Sequence, residues 1–199
     1  MTDRPILFST PMIRALLDGR KTQTRRIINP QPTASGSVYV GDQQITMAEW
    51  QARHEGRLKI NVGDRLWVRE AWNSVIGYEN LPPRDIPANT PVHYKADGEP
   101  EYGWVWGRYR HSQFMPRWAS RITLTVTDVR VERLQDISRG DAMAEGCPFP
   151  NMAKGDNPSD WYAALWDTIN GPGAWEANPW VVAYTFTVEH RNIDGAIHE

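Results

Sequence analysis

Met12-Ile13-Arg14-Ala15-Leu16-Leu17-Asp18-Gly19-Arg20-Lys21-Thr22-Gln23-Thr24-Arg25-Arg26-Ile27-Ile28 changes its periodicity within a few residues. Met12, Ile13, Leu16 and Leu17 recur at helical spacing. Ser9-Thr10-Pro11 ahead of them offers a cap candidate and a proline suited to a first helical position. Gly19 is placed to end the helix with a positive φ. From Thr22 the pattern becomes alternating, with Thr22, Thr24, Arg26 and Ile28 set against Gln23, Arg25 and Ile27. An exposed or cleft-lining strand reads this way. A basic, threonine-bearing turn therefore stands where a helix hands over to a strand.

Working outward, Pro5 to Phe8 reads as a short strand, and Gly63-Asp64 as a turn into a second strand, Arg65 to Glu70. The clearest strand is Arg121 to Glu132, where Ile122, Leu124 and Val126 alternate with threonines. Ser138-Arg139-Gly140-Asp141 resembles a capping box with Asp in place of Glu, opening a short helix that Gly146 closes after Glu145. Ser159 is a cap candidate for a further helix carrying Trp161, Ala164, Leu165 and Thr168 on one face and ending near Asn170-Gly171. Trp180 to Val188 supplies a last strand. Residues 29–60 and 73–118 read as insertions. The first has only a weak amphipathic piece near Met47 to Leu58, and the second has short strand candidates around Val92-His93-Tyr94 and Trp104-Val105-Trp106. Several strands among short helices, without strand-helix-strand periodicity, predict an α+β domain over 1–199, built on a small curved mixed sheet or barrel.

Composition narrows the function. Hydrophobic residues make up 40% and aromatics 11%, with ten tryptophans, so the chain can build a core. A net charge of -2 excludes the overall basic balance of a protein that grips long duplex nucleic acid, so any nucleic-acid contact is expected to be local. Cys147 is the sole cysteine, which rules out an intramolecular disulfide and a cysteine-based zinc cluster and suits a reducing cytosol. The five histidines lack metal-ligand spacing, and neither a metal nor a cofactor is expected. The N-terminal residues lack a signal-peptide pattern, and no apolar run approaches the ~20 residues that span a bilayer. The expectation is a cytoplasmic protein without a membrane partner.

Lys21 and Thr24 are the candidates for chemistry. A threonine hydroxyl needs a neighbouring base, and a lysine serves as one only where burial or nearby cations such as Arg20, Arg25 and Arg26 lower its pKa. On an ideal strand, residues three apart face opposite ways, so the two converge only if Lys21 stays in the loop or a bulge intervenes. The competing reading is a polar edge strand, its threonines chosen for β-propensity and its cations for solubility.

Gly19-Arg20-Lys21-Thr22-Gln23-Thr24-Arg25 after a helix resembles the G-x-K-T-x-T-x-R signature of the ASCH family, which borders a cleft in a PUA-like β-barrel. Gly63-Asp64-Arg65-Leu66-Trp67-Val68 is similar to a second recurring segment, and Asp141-Ala142-Met143-Ala144-Glu145-Gly146 to the short helix that supplies a glutamate. The resemblance spans roughly residues 5–28, 62–72, 119–146 and 159–188. It implies a site for a nucleoside or for RNA, including single-stranded or modified nucleic acid. Small bacterial members are N(4)-acetylcytidine amidohydrolases, whose roles would fall on Thr24 as nucleophile, Lys21 as its base and Glu145 as the assisting carboxylate. The length and the Trp-rich C-terminal half look more like members found in phages and prophages.

Two functions of different classes follow. One is a binding module in which Arg20, Lys21, Thr22, Arg25 and Arg26 meet a base or its phosphate and an aromatic such as Trp67 stacks on it. The other is the amidohydrolase. Glu70, ending a strand, rivals Glu145 for the carboxylate role. A third possibility is a phage-encoded adaptor that meets a protein partner through 73–118. Arg117 and Arg121 are read as solvating a strand entry in preference to binding phosphate.

Overall fold

The computed structural model describes residues 1–29, 31, 37–40, 43–46, 60–100, 103, 105–148 and 157–195. The chain is α+β and divides into two compact units, one of residues 1–19, 63–125 and 187–199, the other of 20–62 and 126–186. Among the described residues no helix is long and apolar enough to cross a membrane.

In the first unit β1 (Asp3–Leu7) runs parallel to β5 (Arg65–Arg69), in register from Asp3↔Arg65 to Leu7↔Arg69. The start of β8 (Thr123–Arg133) pairs antiparallel with β5, Trp67 opposite Thr123 and Arg65 opposite Thr125. Helix α1 (Thr10–Leu17) buries Met12, Ile13, Ala15 and Leu16, has its proline in the first turn, and is followed by Gly19 at φ 71. Ser9 holds the N-cap position, but its hydroxyl makes no cap bond.

The region expected to be loop-rich, 73–118, builds a core of its own. Strand β6 (Trp72–Ser74) pairs with β7 (Val92–Tyr94), and Trp72, Ile86, Met115 and Ala119 are buried together. Tryptophan and methionine supply the large apolar volume that lets this polar, proline-rich segment fold. Of the expected strand Trp104-Val105-Trp106, Trp104 lies outside the described residues and Trp106 makes an isolated bridge with Val75, while Gly107 lies so close to Glu79 that a Cβ there would sit 2.8 Å from the Glu79 Cβ.

In the second unit the strand order is β8-β9-β2, with β2 (Gln23–Ile27) antiparallel to β9 (Trp180–Glu189) from Gln23↔Thr185 to Ile27↔Val181. The expected insertion 29–60 contains an unforeseen hairpin, β3 (Ser37–Val40) with β4 (Gln43–Thr46). The amphipathic piece near Met47 to Leu58 lies outside the described residues. Helix α2 (Arg139–Ala144) opens with the expected capping box, Ser138 accepting from the Asp141 N–H.

Helix α3 (Pro158–Asn170) is capped by Asn157, not Ser159, because the Asn157 carboxamide oxygen accepts from the Ser159 N–H at 3.1 Å. Its buried stripe is Tyr162 and Trp166, and Ala164 and Thr168 are exposed. Trp161 and Leu165 of the predicted face do pack against the core, and the face is turned from Ala164 and Thr168 toward Tyr162, whose hydroxyl finds a buried partner. Tyr162 and Trp166 pack with Leu134, Ile137, Ala142 and Val181, so α2 and α3 share one apolar core.

Candidate functional site

The geometry begins at the end of α2. Gly146, at φ 103, turns the chain after Glu145, and Lys21 forms an isolated antiparallel bridge with Glu145. The Thr22 N–H donates to the Ala144 carbonyl at 2.8 Å, and the Thr22 carbonyl accepts from the Phe186 N–H. The turn before β2 is therefore laid along the end of α2 by backbone bonds. The Arg20 guanidinium adds a bond to the Gly146 carbonyl at 2.7 Å.

Glu145 is 3% exposed and collects three donors. The Lys21 ammonium reaches Oε2 at 2.7 Å and the Glu145 carbonyl at 3.0 Å. Arg25 Nη1 reaches Oε1 at 3.0 Å, and the Tyr162 hydroxyl donates to the same oxygen at 3.3 Å. Arg25 is further fixed by Glu132, whose Oε1 accepts from Nε at 2.8 Å, and by the Gln23 carboxamide at 3.3 Å. Asp141 lies 3.6 Å from Arg25 Nη2. Lys21, only 1% exposed, and Arg25 thus lie on the Glu145 side of β2.

Burial sets the electrostatics. Desolvation lowers the Lys21 pKa below its ordinary value, and the attraction of Glu145 only partly restores it. Arg25 goes the other way: burial opposes its charge, but Glu145 and Glu132 outweigh that and raise its pKa. Burial pushes the Tyr162 hydroxyl well above its usual range, with the Glu145 charge adding to the effect. Asp141 is held well below the usual carboxylate range, since bonds from Ser138, Arg130 and Gln23 overcome its desolvation.

Thr24 and Arg26 lie on the other face. The alternation of β2 sends Thr24 away from Gln23 and Arg25, and among the described residues no hydrogen bond joins Thr24 to Lys21. Thr24 is buried opposite Tyr184. Arg26 is accessible to solvent, yet crowded enough by protein that desolvation lowers its pKa, with Glu145 working against that shift.

Trp67 and Glu70 belong to the first unit. Trp67 is buried, with the Arg69 guanidinium 4.4 Å from its ring centroid. Glu70 is gripped by both arms of the Arg121 fork, at 2.9 and 3.1 Å. Arg121 also holds Asp97 and lies 3.9 Å over the Tyr94 ring, while Arg117 binds Asp3 and Asp194. Both arginines are thus tied into ion pairs, where solvation was expected.

Sequence reasoning missed Tyr162, Glu132, Gln23 and Asp141 as members of the Lys21 cluster. Gln23 was legible as a same-face neighbour of Arg25, and Tyr162 as the residue one turn before Trp166. Glu132 gave no local signal, because its contact with Arg25 spans 107 residues.

No family model matches the sequence, and no curated protein matches it. Among solved structures the chain is similar to protein EF3133 from Enterococcus faecalis V583, described by the family model DUF984, at 13% identity and a TM-score of 0.44. That match covers 100% of this chain and 86% of the other. It is also similar to an ASCH domain from Lactobacillus crispatus JV V101, at 12% identity and a TM-score of 0.43, covering 94% of this chain and 79% of that one.

Proposed function

We propose that the protein recognises a nucleobase, carried by a free nucleoside or by single-stranded RNA, with Arg26 as its accessible cation and Lys21, Arg25 and Glu145 as the buried array that fixes β2. The supporting observation is Arg26 itself, solvent-accessible on β2 but partly desolvated. A guanidinium sheds water more readily than an ammonium and presents a planar set of donors to a base carbonyl or a phosphate oxygen. The resemblance of Gly19 to Arg25 to the ASCH signature points the same way. A net charge of -2 favours a ligand of one or a few nucleotides over a long polyanion.

Deacylation of N(4)-acetylcytidine, or of a related acylated nucleoside, is the second reading, and the lowered pKa of Lys21 beside Glu145 favours it. The face occupied by Thr24 weighs against it, since the nucleophile would have to be deprotonated by a lysine whose hydrogen bonds run to Glu145. One experiment separates the two. Tryptophan fluorescence titrated with cytidine and with a short single-stranded RNA should show saturable binding that Arg26→Ala weakens by about tenfold or more. Equal binding by that variant contradicts the proposal. Chromatographic release of cytidine from N(4)-acetylcytidine by the native protein, absent in Thr24→Ala, would establish the second reading.

A further inference from the structure

The first unit carries a cavity of about 370 Å³ lined by Pro83, Arg108, Tyr109, Arg110, His111 and Phe114. Its volume falls at the lower end of small-ligand sites, which run about 300–1,000 Å³. Phe114 is 54% exposed and Tyr109 42% exposed, so two aromatic side chains are left facing water at one opening. Cations accompany them. Arg108 is exposed, and among the described residues it has no carboxylate partner.

Arg110 is held in place. Its Nη2 donates to the Tyr78 and Glu79 carbonyls at 2.9 and 2.8 Å, and its guanidinium lies 5.6 Å from the Trp72 ring centroid. Its buried Nε has no hydrogen-bond partner. Burial lowers the Arg110 pKa, the charge of Arg108 lowers it further, and Glu79 opposes both. A guanidinium whose charge is disfavoured by a neighbouring cation gains from an anion placed between the two. His111 Nδ1 accepts from the Gln113 N–H at 3.2 Å, which in the neutral ring leaves the proton on Nε2 as a further donor.

We propose that this cavity binds a nucleoside phosphate, its phosphate on Arg108 and Arg110 and its base stacked on Phe114 or Tyr109. Aromatic faces and arginines side by side are the means by which proteins hold unpaired nucleotides without reading their sequence. The phosphate separates this ligand from an uncharged aromatic one, and the aromatic pair separates it from inorganic phosphate. The ligand could be a free mononucleotide or one unit of a single strand, and the cavity chemistry is common to both.

The test uses the full chain and calorimetric titration with adenosine 5′-monophosphate, adenosine, inorganic phosphate and a single-stranded RNA ten-mer. Arg108→Glu and Phe114→Ala alter exposed side chains, and circular dichroism verifies that each variant is folded. Saturable binding of the mononucleotide, weakened about tenfold or more by either variant and by removing the phosphate, supports the proposal and assigns a free nucleotide. Binding of the ten-mer alone, with the same sensitivity to both variants, supports it and assigns a strand. Adenosine or inorganic phosphate binding as tightly as the mononucleotide overturns it, as does binding that neither variant weakens, or no binding of either nucleotide ligand. Arg26→Ala is run beside them. Mononucleotide binding that is lost there and kept in Arg108→Glu also overturns this assignment, because the ligand would then belong to the β2 site.

Discussion

Glu70 and Glu145 are both buried carboxylates held by arginine, 2% and 3% exposed, and they do different things with their partners. Glu70 gives both oxygens to one guanidinium, and Arg121 retains 25% side-chain exposure and a second carboxylate, Asp97. That pair is closed and partly hydrated. Glu145 divides its oxygens between a lysine and an arginine that are both sealed from water, and adds a tyrosine hydroxyl. An arginine keeps its proton under almost any burial, whereas a lysine gives way when desolvated. The same ingredients therefore perturb different groups: in one unit burial raises the pKa of the carboxylate, Glu70, despite Arg121, and in the other it lowers that of the cation, Lys21, despite Glu145.

The sharpest way to break this contrast is to remove each carboxylate's charge. Glu145→Gln leaves Lys21 and Arg25 buried around a neutral amide and should cost about 3–5 kcal/mol, read as a lower urea midpoint. Glu70→Gln leaves Arg121 with Asp97 and with water, and should cost about 1–2 kcal/mol. Equal losses, or the reverse order, contradict the distinction.

A smaller effect tests the support beneath Glu145. Asp141 closes the capping box of α2 and pairs with Arg130, and its folded pKa lies well below the ordinary 3.8. A carboxylate whose pKa is depressed on folding contributes stability that is present above its unfolded pKa and lost as the pH falls through the folded one. Wild type should therefore exceed Asp141→Asn by about 1 kcal/mol at pH 6, with the gap shrinking as the pH drops below 3.8. Urea midpoints measured from pH 6 to pH 2 check this, and a gap that widens toward acid contradicts it.

Much of this was legible because it is local. The α1-to-β2 handover needs only periodicity and Gly19, and the end of α2 needs only Ser138, Asp141 and Gly146. The pairing of Lys21 with a carboxylate was legible as chemistry but not as a choice, since Glu70 and Glu145 look alike until strand register assigns each its cation. The hairpin of Ser37–Val40 with Gln43–Thr46 was overlooked although Val38-Tyr39-Val40 is a strand signal followed by Gly41-Asp42, and the core around Trp72 was missed because Trp72, Ile86, Met115 and Ala119 are far apart in the chain. The α3 stripe was placed only in part, with Trp161 and Leu165 but without Tyr162, because a tyrosine counts as polar until its hydroxyl has a known partner, and Glu145 becomes one only through the fold.

Lys21 can be followed directly by carbon-13 labelling of lysine side chains and NMR titration, with Lys21→Arg to assign its signal. The account predicts a midpoint below the ordinary 10.5, and a still lower one in Glu145→Gln, because the carboxylate is what partly restores the charge. A Lys21 that titrates at or above 10.5, or that rises when Glu145 is neutralised, contradicts it.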